Sequence, residues 1–513
     1  MSRAEPLIVG VDAGTTNTKA VVFTASGRVV AQASTPTPIH YPRPEWAEYD
    51  AHSLWRTAAD AIRTAIGGID QPNRIQGVCF ASMGETAVPI AGDGSPTGPA
   101  IAWFDKRARA ELALIVERIG QDRLFAISGL APEPIFGLCK LLWHQHHRAD
   151  AFKAATKWLN TADYLAFCLS GEMATDYSLA CRTFALDLAE LAWSEEILRT
   201  MEVDPGLMAA LVPSGTAIGK VSEAGAAATG LPRHCIVAAG GHDHVIGALA
   251  ADAMRPGTLL CSTGTTEASV MGTDRPSRNP AIGRAGYVQG ICFVETPVWF
   301  SMGGLFTAGG AIDWFRQNVA GGASYETLIA EATSAPPGSQ GAVFLPHLRL
   351  GTAPEPNPRA KGAFLGLSTD ITRGCLFRAV LEGIAADSRH CADAMRELTD
   401  TAPPDAIRVI GGLTKNPLYM TIKATMHAGE ITAVDLPDSV AAGAALLASL
   451  AAGIHPSQRA ATQAMRATER TIPPDTNAID LYETLYQTTH KPAARTIKPI
   501  HDAINIATKS KEA

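Results

Sequence analysis

The chain contains the same arrangement twice. LIVGVD (7–12), an almost unbroken apolar run, passes through Gly-Thr-Thr into KAVVFT (19–24). TLLCS (258–262) passes through a second Gly-Thr-Thr into EASVMG (267–272). A short apolar run that ends in Gly and hydroxyl residues reads as a buried strand entering a hairpin. One copy alone is consistent with an ordinary hairpin. Two copies, in separate halves of a 513-residue chain that is too long for one core, point to a duplicated fold. No fixed short period accompanies them, so the chain is not a solenoid. The boundary falls near residues 245–257. The expected layout is a first domain over 1–250, a second over 255–455, and a helical tail over 456–513 packed on the second.

Strand and helix patterns alternate around the hairpins. VVAQAST (29–35) extends the first hairpin into an antiparallel start. SLWRTAADAIRTAI (53–66) has helical spacing of Leu54, Ala58, Ala61, Ile62 and Ala65, and IQGVCFASM (75–83) is a buried strand. PRHCIVAAGGHDHVIGALAADAM (232–254) reads as a strand, a Gly-Gly turn and a helix that begins near the histidines. In the second half, LFTAGGAIDWFRQNV (305–319) reads as a helix, AIRVIGGL (406–413) as a strand, LYMTIKATMHAG (418–429) as a helix and ITAVDL (431–436) as a strand. VAAGAALLASLAAGI (440–454) is too short to span a bilayer and reads as a buried helix packed through small residues. The class is α/β. The tail segment LYETLYQTTHKP (481–492) reads as a helix returning onto the second half, with ATKSKEA (507–513) disordered.

Composition excludes several functions. Hydrophobic residues make up 46% and charged residues 18%, which suits a soluble globular protein. A net charge of −7 offers no basic field for nucleic acid or an anionic membrane. Nine scattered cysteines without a CxxC pair fit free thiols in a reducing cytoplasm. MSRAEPLIVGVD lacks the basic and then apolar order of a signal peptide.

Chemistry concentrates in three stretches. In DAGTTNTK (12–19) the turn presents backbone N–H groups and Thr hydroxyls in one concave place, which can cradle phosphate oxygens. Lys19 adds a positive charge, and Asp12 could hold a phosphate-bound Mg²⁺ directly or through water. In VIGGLTKN (409–416), Gly411 and Gly412 let a flat ring approach the backbone, with Asn416 offering an amide; a plain strand–Gly–helix turn has the same pattern. In GGHDH (240–244), Asp243 suits a general base that takes a proton from an attacking hydroxyl. The rival reading is a metal site made of His242, Asp243 and His244, since i and i+2 share a strand face. HQHH (144–147) reads as a solvated helix face.

GVDAGTTNTKAVVF, AIAWFDKR, TDYSLACRTFALDL, AAGGHDHVIGAL, LLCSTGTTEA, FLPHL with NPRAKGAFLGL and LFRAVLEGIA, and GGLTKNPLYM with AAGAALLASLAAG stand in this order over residues 6–455. Together they resemble the FGGY carbohydrate kinases, of the actin/hexokinase/Hsp70 fold group. The resemblance implies two actin-like (ribonuclease H-like) domains around a central nucleotide and substrate cleft, closing on ligand like a hinge. It implies ATP-dependent phosphorylation of a terminal hydroxyl of a small sugar or polyol. A ketopentose such as xylulose comes first, and glycerol, a tetritol or a tetrulose is the alternative within the family. An actin- or Hsp70-like ATPase is the alternative outside it. By resemblance Asp12 organises Mg²⁺, and Gly14, Thr15, Thr16 and Lys19 meet the nucleotide phosphates. Gly264 and Thr265, with Thr266 beside them, form the second phosphate hairpin. Gly309 and Asp313 line the ribose and phosphate side, and Gly411, Gly412 and Asn416 the adenosine. Asp243 is the base, and Met83, Glu85, Trp103 and Asp105 line the sugar site. The expected partners are ATP, Mg²⁺ and a small sugar or polyol, with neither nucleic acid nor membrane. A cytoplasmic homodimer is expected. The chain departs from the pattern before Lys140, at Cys375 and in two further places. Xylulose kinases carry a Gly-Gln-Met-His-Gly type of segment, and glycerol kinases an Arg-Glu pair, where this chain has ASMGET (81–86). Histidines flank Asp243 where xylulose kinases have Gly-Asp-Asn.

Overall fold

The structure, a computed structural model, describes residues 5–436 and 438–509. The first sheet holds β1 (Leu7–Ala13), β2 (Asn17–Thr24), β3 (Val29–Pro36), β4 (Ile75–Ser82), β5 (Ala217–Lys220) and β6 (Ile236–His242). Their order is β5-β6-β4-β1-β2-β3. β1, β2 and β3 run antiparallel in succession, β4 is parallel to β1, β6 is parallel to β4, and β5 is antiparallel to β6. The second sheet holds β7 (Thr258–Thr263), β8 (Glu267–Thr273), β9 (Val288–Phe293), β10 (Pro297–Leu305), β11 (Ala406–Gly411), β12 (Ile431–Asp435) and β13 (Thr468–Ile472). Their order is β9-β10-β8-β7-β11-β12-β13. Antiparallel β10, β8 and β7 are followed by parallel β11 and β12 and antiparallel β13. Apart from the added edge strand β9, the two sheets share one pattern of directions. This is the duplicated α/β architecture that the two hairpins imply.

β1 is buried along nearly its whole length because helices cover both its faces. Helix α1 (Ala51–Gly67), capped by the Asp50 side chain accepting the Ser53 N–H, shares a core with Val9 and Val11. Helix α2 (Thr161–Ser170) packs on β4 and β6. The second sheet is served by α4 (Gly309–Asn318), α5 (Arg373–Thr399) and α6 (Pro417–Met426); α3 (Asp243–Ala250) directly follows β6. The Ala-rich segment forms α7 (Ser439–Ala451), a buried helix as its composition indicates. Late in sequence, α7 lies on the first sheet, against Ile8 and Val21 on the opposite face from α1. Its approach depends on glycine. A Cβ at Gly10 would overlap the Ala441 carbonyl oxygen, and one at Gly443 would overlap the carbonyl oxygen of Ile246 on α3. The tail runs through a helix at Ile479–Leu485 into α8 (Lys491–Lys509). Tyr482 and Tyr486 bond Glu382 and Asp393 of α5 at 2.6 and 2.9 Å.

Three local readings change. Gly240 and Gly241 make no turn; they are the last residues but one of β6, where a Cβ on Gly240 would overlap the Phe80 carbonyl oxygen of β4. Close strand approach and turning both select glycine, so the sequence does not separate them. The helix read from residue 305 starts at Gly309, because Phe306–Ala308 pass over the second hairpin. Within the segment read as disordered, Ala507–Lys509 are helical, and residues 510–513 lie outside the described ones.

Candidate active site

Parallel strands present ligand-binding groups at their carboxyl ends. β6, β4 and β1 are neighbours, and register sets His242 beside Ser82 and Ser82 beside Ala13. Asp12 precedes Ala13, Glu85 follows β4, and Asp243 follows β6. Three carboxylates therefore collect at one end of the first sheet.

Asp243 opens α3, and its Oδ1 accepts the His244 N–H at 2.6 Å. His242 Nε2 lies 3.3 Å from the same oxygen, and about a quarter (24%) of the Asp243 side chain is exposed. Burial raises its carboxyl above the usual range, against the pull of His244 and Arg182. Asp12 is pushed up to about 7, first by burial and then by Asp243 and Asp438, with Lys19 opposing. Among the described residues no three His, Cys, Asp or Glu side chains converge as a metal cage, and the His242 and His244 rings stand 5.5 Å apart.

The first hairpin is a tight turn closed by the Gly14 N–H to Asn17 oxygen bond at 3.0 Å, leaving Thr16 exposed. Trp103, 38% exposed, donates its Nε1–H to Thr15 Oγ1 at 2.9 Å, tying the aromatic face to the hairpin. Lys19 Nζ contacts Asp438 Oδ1 at 2.6 Å, just ahead of α7. In the second hairpin Gly264, Thr265 and Thr266 are all exposed. Its carbonyls take up the first amides of α4: Gly309 N–H bonds Gly264, and Ala308 and Gly310 N–H both bond Thr265. A Cβ on Gly309 would lie 2.6 Å from the Gly264 oxygen, which accounts for glycine there. Asp313, one turn further along α4, accepts from the Tyr325 hydroxyl. Gly411, in the left-handed region at φ 98°, passes close over Thr263, and a side chain at Gly412 would meet only open space. Asn416 caps α6, its Oδ1 accepting the Tyr419 N–H at 3.0 Å.

Two residues expected at the sugar site lie inside the fold. Asp105 is buried, and its carboxylate is taken by the Ala47 N–H at 2.6 Å and by Arg107 at 2.7 Å. Met83 is buried in the first core. His144, read as solvated with its neighbours, is buried and held neutral, its pKa pushed down to about 3 by burial.

Glu85 was expected at the sugar site, but its partners Lys140 and Arg182 were not anticipated. Glu85 sits in the left-handed region at φ 59°. Its carbonyl accepts from buried Lys140 at 2.8 Å, and its Oε1 accepts from Arg182 Nε at 2.6 Å and from Nη2. Burial lowers Lys140 to about 7. A charged residue inside the apolar run LACRTF was the available signal for Arg182. Behind the second hairpin, Glu267 is wholly buried with Lys423 at 2.9 Å, together with Ser388 and Tyr419. This network joins the hairpin to α6.

Sequence comparison agrees with this geometry. The profile of the FGGY family of carbohydrate kinases matches in two parts, its N-terminal domain over residues 7–250 and its C-terminal domain over 259–452. The chain belongs to that family. This FGGY kinase is 31% identical to a xylulose kinase of Klebsiella pneumoniae, over 79% of this chain and 82% of that one. It is 27% identical to a gluconokinase of Bacillus subtilis, over 93% and 94%. The crystal structure of xylulose kinase from Rhodospirillum rubrum superposes with a TM-score of 0.87 at 26% identity, covering 97% of this chain and all (100%) of that one. The FGGY kinase is thus a sugar phosphotransferase with ATP as phosphate donor. Among its described residues no helix is long and apolar enough to cross a membrane.

Proposed function

We propose that this kinase transfers the γ-phosphoryl group of MgATP to a terminal hydroxyl of a small sugar, with a ketopentose such as xylulose first among the acceptors. The observation that carries the reading is Asp243, a partly open carboxylate at the end of β6, close enough to Asp12 beside the first phosphate hairpin to raise its pKa. Asp243 accepts the hydroxyl proton as the oxygen attacks phosphorus in line. Its raised pKa suits that role, because the proton must be held once taken. Most of the acceleration comes from positioning and charge stabilisation. Gly14, Thr15 and Thr16 on one side and Gly264 and Thr265 on the other cradle the phosphates. Lys19 turns to them from Asp438. Gly309 and Asp313 line the ribose side, while Gly411, Gly412 and the amide of Asn416 take the adenosine. Trp103 offers its exposed face to the sugar.

The residues fit Mg²⁺. Asp12, Asp243 and Asp438 are crowded enough to raise Asp12, which a cation would relieve. Asp12 would hold the ion directly or through water, and bound Mg²⁺ supplies charge neutralisation at the phosphates. A shorter acceptor, such as glycerol, a tetritol or a tetrulose, is the second reading. The lobes are taken as 1–250 and 255–455 with a tail over 456–513, in a cytoplasmic homodimer; the nine free cysteines accord with a reducing compartment.

Asp243→Asn tests the base. In a coupled ADP-release assay with xylulose, turnover is expected to fall by about 10³-fold or more, while MgATP still raises the melting temperature as in the wild type. Retention of most activity removes Asp243 from the mechanism.

A further inference from the structure

Glu85, Arg182 and His242 meet around Gly84. A Cβ added there would lie 2.8 Å from His242 Cδ2 and 3.5 Å from Arg182 Cγ. Glycine at position 84 is therefore what lets the His242 ring occupy this space, with Arg182 in ordinary contact beside it. Phosphate binding does not require the cluster, and neither does proton transfer to Asp243. Its bonding is incomplete, although all three side chains are more than nine-tenths buried. Arg182 gives Nε and Nη2 to Glu85, and its Nη1 has no acceptor among the described residues. His242 Nδ1 is likewise unpartnered. Unpaired buried groups of this kind are costly, so a ligand that completes them gains binding energy there.

We propose that Arg182, Glu85 and His242 form the floor of the acceptor site and select a neutral compound through two adjacent hydroxyls, in preference to a compound bearing a carboxylate. The proposal rests on the kinase reading above and specifies its substrate class. With a proton on His242 Nε2, facing the Asp243 carboxylate, Nδ1 carries a lone pair and needs a donor. Arg182 Nη1 needs an acceptor. A hydroxyl supplies either, and neighbouring hydroxyls supply both at once. A carboxylate supplies only acceptors and leaves Nδ1 unmet. The charges point the same way. Glu85 already answers the Arg182 cation, and burial together with Arg182 and His244 keeps His242 neutral. An incoming carboxylate would find no free cation on this floor and would stand near Asp243. The unpaired atoms are closed to water here, so hydroxyls would reach them only once these side chains shift. Lys140, bonded to the Glu85 carbonyl, holds the strained φ of Glu85 and thereby the orientation of the pair. The departures from the xylulose kinase pattern are reciprocal here. Glycine stands at 84 where that pattern has histidine, histidine stands at 242 where it has glycine, and the ring comes from β6 into the space beside Gly84.

The test is a kcat/KM panel for the wild-type enzyme with MgATP, using xylulose, erythritol, glycerol and gluconate. The best neutral acceptor is expected to exceed gluconate by about 100-fold or more, because a site built for hydroxyl hydrogen bonds discriminates strongly. Arg182→Lys keeps the charge but loses the fork. It should raise KM for that acceptor by about tenfold or more with kcat little changed. His242→Ala should change the ranking among the neutral acceptors, and Gly84→His with His242→Gly should recover activity lost in Gly84→His alone. Gluconate matching the neutral acceptors overturns the proposal, as does an unchanged KM and ranking in both Arg182→Lys and His242→Ala. If those variants do not fold, the wild-type panel decides alone. Wild-type protein that phosphorylates no acceptor overturns the kinase reading itself, whereas good turnover of gluconate overturns only the selectivity.

Discussion

A carboxylic acid that titrates near neutrality makes folding and function oppose each other. Asp12 stays protonated in the folded protein up to about 7, whereas its ordinary value is 3.8. Between those values the native state binds a proton that the unfolded chain has lost. Its contribution to stability therefore falls as pH rises through that window, by at most about 4 kcal/mol and less with the side chain's partial exposure. Asp12→Asn should accordingly raise the melting temperature of the ligand-free protein by about a few degrees at pH 8 and hardly at all at pH 5, while ending phosphoryl transfer. Thermal denaturation at the two pH values checks it; a variant less stable at pH 8 would show that Asp12 is not held protonated. At this scale the sequence was readable where chemistry is local. Asp12 lies at the end of a strand and the Gly-Thr-Thr residues sit in their turns as their neighbours imply, while Asp243 opens a helix directly after β6. The partners of Asp105, the Ala47 amide and Arg107, were not legible in the sequence. Arg182 went unread because the carboxylate that orients it lies 97 positions away.

Hairpins and helices differ in how openly they announce themselves. A strand–Gly-Thr-Thr–strand hairpin is fixed by turn chemistry within a dozen residues, and both appear where expected. The Ala- and Gly-rich helix is equally plain as a helix, but nothing local says which sheet it covers. That choice depends on matched glycines in distant elements. Gly443→Ala should press on the Ile246 carbonyl and destabilise the protein by about 1–3 kcal/mol or more, read as a lower urea midpoint; an unchanged midpoint would show that α7 and α3 can part at no cost. Glu267, Lys423 and Ser388 illustrate the same limit. Each is an ordinary polar residue in sequence, and only the fold brings Lys423 across 156 positions to Glu267. The two hairpins also differ in their attachments. Thr265 holds α4 through its carbonyl, whereas the Thr15 hydroxyl accepts from Trp103. Thr265→Val should raise KM for ATP alone, by about tenfold. Thr15→Val should raise KM for both ATP and the sugar, since Trp103 loses its anchor. Equal effects on the sugar from the two variants would separate Trp103 from the acceptor.

Across the whole molecule the two halves touch at many places, among them Trp299 with the Leu188 carbonyl and Arg284 with Asp122, and two of the junctions flank the site. Lys19 reaches Asp438 at the mouth of the site, a partly exposed pair worth about 1 kcal/mol or less. Behind it, α7 closes the rear face of the first sheet. The duplication was legible because the hairpins repeat; this crossing was not, because it breaks the symmetry of the duplication. It also sets an order of events during synthesis. A ribosome that has finished the first 250 residues has made every strand of the first sheet but not its second cover. Ile8, Val21 and the glycines that await α7 stay bare until some 200 more residues have emerged, with all of the second sheet except its edge strand β13 threaded in between. The nascent first half therefore waits with an open apolar flank, and a chaperone that shields such flanks has a defined place and interval in which to act.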